Sequence, residues 1–93
     1  MPVTPRNLPL HELIGLEVEV AEASNRSLVG IKGTVVDETK NTLLVRTGRG
    51  DKRIPKRHTK FIFTLPDKRK VKVDGNILAV RPEDRLKLRL RVW

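Results

Sequence analysis

The sequence predicts a mainly β domain, a small and strongly bent antiparallel barrel with a short N-terminal helix and a short helical turn or tail at the C-terminus. Three observations carry this. Gly30 to Val45 reads as two strands joined by a tight polar turn, with Ile31 and Val35 on one face and Lys32, Thr34 and Val36 on the other. Leu16 to Glu22 alternates apolar with acidic residues, the pattern of a half-buried strand. Gly30 and Gly33 bracket a strand at positions suited to a bulge, a bend or a close backbone approach.

At 93 residues the chain makes one domain, 1–93, large enough for a single core and expected to bury roughly 60 to 65% of its unfolded surface. Residues 1–7 form a loose, proline-marked start. Residues 8–14 place Leu10, Leu13 and Ile14 on one helical face, with Asn7 as cap and Gly15 as stop. Two turns of helix are marginal alone, so this piece needs the sheet beneath it. Residues 16–80 form the barrel core. Ser24 to Ser27 make a polar turn, Lys40-Asn41 another, and Gly48 to Asp51 a third.

Lys52 to Lys60 is basic, with Ile54 its one large apolar side chain, and Pro55 places it at an edge or an interrupted ladder. Phe61 to Leu65 is an apolar run of strand length. Pro66-Asp67 turns into Lys68 to Val73, and Asp74-Gly75 turns again into Ile77 to Val80. Residues 81–93 begin with Pro82-Glu83-Asp84, a helix-start pattern, and continue into an alternating tail, Leu86 to Val92.

The absence of cysteine removes a disulfide framework or a thiolate zinc site and fits a reducing compartment. The apolar runs are too short to span a bilayer, and the three prolines of Met1 to Leu10 interrupt any secretory core, so a cytoplasmic location is expected. The net charge of +9 is unevenly divided: residues 1–45 carry −2 and residues 46–93 carry +11. A concentration of one sign repels itself, and a polyanion such as nucleic acid is the partner that relieves it.

On pattern alone the chain fits an Sm-like or SH3-like barrel. Leu13-Ile14-Gly15-Leu16-Glu17-Val18-Glu19-Val20 and the block Val29 to Leu43, with Arg81-Pro82-Glu83-Asp84-Arg85, closely resemble the protein component 1 family of archaeal ribonuclease P. The resemblance implies a protein subunit of the ribonucleoprotein endonuclease that removes the 5′ leader of precursor tRNA. It implies that the ribonuclease P RNA performs the hydrolysis with bound magnesium, and that this chain binds no cofactor itself. It also implies other ribonuclease P proteins as partners, a zinc-ribbon subunit among them.

The candidate phosphate-contacting set is Lys52, Arg53, Lys56, Arg57, Lys60, Lys68, Arg69, Lys70 and Lys72, offset locally by Asp51 and Asp67. The same residues also describe a solubilising face. Neutralising about six phosphates lowers the binding constant by roughly three decades between low and moderate salt. Phe61 and Phe63 read as core, so recognition by base stacking is weak and a structured RNA is favoured. Trp93 reads equally as an anchor or a frayed end.

Apolar positions beyond what a small barrel covers suggest a protein-partner surface on Leu10, Leu13, Ile31, Val35, Asp37, Leu86 and Leu90. His11 and His58 lack companions for a metal site. Asp37 and Glu38 are adjacent, fall on opposite strand faces and do not pair as acid and base. Ser24 and Ser27 have no neighbouring base. The polypeptide alone is therefore expected to be non-catalytic. The alternative is an SH3-like ribosomal RNA-binding protein, which the Gly30 to Val35 pattern also suits.

Overall fold

A computed structural model describes residues 13–80. Six strands, β1 (Glu17–Ala23), β2 (Lys32–Glu38), β3 (Thr42–Thr47), β4 (Gly50–Pro55), β5 (Thr59–Thr64) and β6 (Lys70–Asp74), form one antiparallel sheet in the order β4-β3-β2-β1-β5-β6. Single 3-10 turns occupy Arg26–Leu28 and Gly75–Leu78. The expected helix over 8–14 and the tail over 81–93 lie outside the described residues, save Leu13 and Ile14. Those two sit in a turn where the Leu16 N–H donates to the Leu13 carbonyl at 3.1 Å and Gly15 takes φ +95°.

Val18 and Val20 on β1, Val35 on β2, Leu43 and Val45 on β3, Ile54 on β4, Phe61 and Phe63 on β5 and Val73 on β6 form the core with Leu13, Leu65 and Leu78. The Phe61 and Phe63 rings lie 5.9 Å apart, tilted by 42°. Leu13 and Val35, read as partner-facing, are core residues with 0% and 1% exposure, because a sheet this small recruits every large aliphatic near it.

Two bulges break the period of two and decide which charges face outward. In β1 the register with β5 runs Val20↔Phe61 and then Glu22↔Lys60, so the extra residue Ala21 turns Glu22 to the outer face. In β2 it runs Val35↔Val45, Asp37↔Leu44 and Glu38↔Leu43, so Val36 is the extra residue. Asp37 is thereby exposed and Glu38 is directed inward.

The sheet bends until its ends approach. A Cβ on Gly75 would lie 1.9 Å from the Lys56 carbonyl oxygen and 2.7 Å from that of Thr59, so the turn after β6 packs against the connection between β4 and β5. Gly33 allows a second close approach, its Cβ position lying 2.0 Å from the Arg46 carbonyl oxygen. Ile77 to Val80 does not extend the sheet: Asp74 caps a 3-10 turn there, accepting from the Asn76 N–H at 2.9 Å.

Candidate nucleic-acid interface

Lys52 and Arg53 lie exposed on β4, one margin of the sheet, and Lys70 and Lys72 lie exposed on β6, the other. Lys68 and Arg69 occupy the hairpin between β5 and β6, Lys60 is on β5, and Arg57 is in the connection between β4 and β5. Arg49, absent from the expected set, joins Lys52 and Arg53. It stands exposed at the tip of the β3–β4 turn, where the Thr47 hydroxyl accepts from its N–H at 3.1 Å. The flanking Gly48 and Gly50 marked that tip in the sequence.

Lys56 is corrected. Its side chain is fully buried, with Nζ 2.7 Å from Glu38 Oε2 and donating to the Leu78 carbonyl at 2.8 Å. Pro55 ends β4, and the next residue turns its side chain into the seam, so this ammonium serves the interior and no phosphate reaches it. Glu38, the last residue of β2, is its counterion.

Other members of the set are partly offset. Lys72 Nζ lies 2.7 Å from Glu22 Oε2, and Arg69 Nε lies 2.6 Å from Asp67 Oδ2. The Lys72 hydrogen bond, reinforced by the charges of Lys60 and Lys72, holds the Glu22 carboxyl below its ordinary value. The Arg69 backbone N–H, with its guanidinium, does the same for Asp67. On the other margin Arg46 pairs with Asp51 at 3.1 Å, and that hydrogen bond raises the guanidinium further. Among the described residues, Arg49, Lys52, Arg53, Lys68 and Lys70 form no ion pair with a carboxylate. Arg53 is instead steadied by donating to the Thr42 hydroxyl at 3.1 Å.

Two backbone positions are notable because non-glycine residues seldom take positive φ. Lys68, at φ 75°, closes the β5–β6 hairpin, its N–H donating to the Leu65 carbonyl at 2.9 Å. His58, at φ 59°, is held by its N–H to Asn76 Oδ1 and by its carbonyl, which accepts from Ser24. Of the partner-facing candidates, Ile31 is half-buried against the core and Asp37 is exposed. Leu10, Leu86 and Leu90 lie outside the described residues. The large apolar side chains exposed within them are Ile14, Val29 and Ile77.

No group of three or more His, Asp or Glu side chains arranged to hold a metal occurs among the described residues, and no helix there is long and apolar enough to cross a membrane. What the geometry offers is rigidly mounted surface charge.

The family described as ribonuclease P/MRP, subunit p29, matches residues 6–88. Ribonuclease P protein component 1 of Methanocaldococcus jannaschii is 50% identical over 91 residues, covering 97% of this chain and 95% of that protein. The component 1 protein of Methanosphaera stadtmanae is 49% identical over 85 residues, covering 91% of each. A solved structure of Mth11, described as a homologue of human RNase P protein Rpp29, superposes with a TM-score of 0.60 at 45% identity, covering 81% of this chain and 97% of that one. With the family matched across nearly its whole length, the chain belongs to the ribonuclease P/MRP subunit p29 family.

Proposed function

We propose that this chain is a non-catalytic, RNA-binding subunit of ribonuclease P, the endonuclease that removes the 5′ leader of precursor tRNA, and that its bent sheet is a small Sm-like barrel. Bond breaking and its magnesium belong to the RNA subunit; the polypeptide stabilises the folded RNA by neutralising phosphates. The carrying observation is the set of exposed cations without carboxylate partners at the sheet margins. Such contacts position a nucleic acid without reading its sequence. A zinc-ribbon subunit is the expected protein partner, in a cytoplasmic particle.

Reconstitution with the ribonuclease P RNA and the other protein subunits tests this. Omitting the chain at low magnesium should depress cleavage of precursor tRNA, and adding it back should restore cleavage; unchanged cleavage refutes the proposal. The pattern from Gly30 to Val35 that suits a ribosomal protein falls inside the residues matched to the p29 family, so no separate observation favours that alternative.

A further inference from the structure

Exposed cations that form no ion pair with a described carboxylate include Arg26, Lys32, Lys40, Arg57 and Lys60, but they are grouped most densely at two places that the sheet holds apart. One is Arg49, Lys52 and Arg53 on and beside β4; the other is Lys68 and Lys70 on and beside β6. The two strands are the opposite margins of the sheet. Five strand spacings separate them, about 24 Å measured along the curved surface.

The register shows what lies between. One row across the outer face reads Asp51, Arg46, Thr34, Glu17, Thr64, Lys70. It therefore holds a closed ion pair, a hydroxyl, a carboxylate and a second hydroxyl before the next cation. Glu19, in register with Lys32, and Glu22, paired with Lys72 and turned outward by the bulge at Ala21, extend the line of carboxylates along β1, so the cations near it already face carboxylates. A single phosphate backbone laid from margin to margin over this face would cross like charge at its midpoint.

The other route runs through the seam where the end of β4 meets the turn after β6. There the Lys56 charge is sealed against Glu38, and Lys60 stands in register between Glu22 and Asp74. Arg57 and Lys60 are the exposed cations at that corner, the latter flanked by carboxylates on both neighbouring strands. Neither route is a continuous basic track.

From this separation we infer that the chain bridges two distinct segments of folded RNA, one gripped by the β4 margin and one by the β5–β6 hairpin. The inference rests on the RNA-binding reading above and adds to it a division of labour. The contacts are to backbone phosphates, so each grip tolerates sequence. What the barrel specifies is the spacing between the two segments.

The lack of cysteine in the chain makes a direct test clean. Lys52→Cys and Lys70→Cys, each in the full chain, are coupled to an iron–EDTA probe and assembled with the ribonuclease P RNA and the other subunits. Radical cleavage from position 52 and from position 70 should map to two RNA segments that share no nucleotides. A probe on Glu17→Cys should cut weakly, since the carboxylates that β1 presents on the outer face repel phosphate there. Cleavage of one common segment from positions 52 and 70 overturns the bridge while leaving RNA binding intact. Absence of cleavage from all three positions, in particles that still require the chain for activity, overturns RNA contact itself and the bridge with it.

Discussion

Lys56 Nζ stands 2.7 Å from Glu38 Oε2 with both side chains closed off from solvent, and this pair ties the end of β4 to the end of β2. The same ammonium donates to the Leu78 carbonyl, just beyond β6. The bent sheet is therefore fastened at its seam by one charged side chain.

Removing one partner leaves the other charge buried. Lys56→Met should destabilise the fold by about 3 to 5 kcal/mol, whereas Lys56→Met with Glu38→Leu should recover much of that loss. A residual cost of about 1 to 3 kcal/mol is expected for the Leu78 carbonyl left without this donor. Urea unfolding of the two single variants and the double variant gives the cycle, and strict additivity would count against the pair as the seam's fastening.

Backbone crowding predicts a contrast among glycines. Gly33→Ala and Gly75→Ala place a Cβ within 2.0 Å and 1.9 Å of carbonyl oxygens, so strands or turns must separate. Each should cost about 1 to 3 kcal/mol or more. Gly48→Ala meets nothing within 4 Å and should be close to neutral. Thermal unfolding of the three variants checks the ranking.

Lys68 couples strain to charge. Lys68→Gly removes a side chain from the left-handed region and should raise stability by about 1 kcal/mol. It also deletes a candidate phosphate contact, so the slope of log affinity for the ribonuclease P RNA against log salt should shrink by about one. Calorimetry and filter binding should move in these opposite senses.

Acid should weaken the outer-face pairs. The Glu22 carboxyl, lowered chiefly by its Lys72 hydrogen bond, and the Asp67 carboxyl, lowered chiefly by the Arg69 backbone N–H, bind protons less readily folded than unfolded. Their contribution is fully present above the ordinary carboxylate range and is lost as the pH falls through the depressed folded values. Both groups are exposed, so the effect is modest and screened by salt. Melting curves of the parent, Glu22→Gln and Asp67→Asn should differ near neutral pH and converge in acid.

Much of this was legible in the residues. Val18 and Val20 face inward and Glu17 and Glu19 outward, as the alternation of β1 requires, and Gly33 sits where backbones nearly touch. Pro55 marked the end of an edge strand correctly. The errors arose where one residue changes the phase. Ala21 and Val36 reverse the faces that follow them, and each is the second residue of an apolar pair, Val20-Ala21 and Val35-Val36, at which the alternation slips by one. Lys56 looked like another cation in a basic run because burial of its ammonium depends on Glu38, 18 positions away. Arg49 was overlooked for the opposite reason, since a solitary charge in a turn adds little to a run.

The placement of positive charge on both margins also governs how the molecule meets its own kind. An open strand edge invites another strand, and proteins blunt that tendency with charged side chains or proline. Here β4 presents Lys52, Arg53 and Pro55 while β6 presents Lys70 and Lys72, so copies approaching rim to rim meet mutual repulsion. The groups offered to a polyanion thus double as a guard against self-stitching into fibres, and replacing them with neutral residues should favour aggregation as well as weaken RNA affinity.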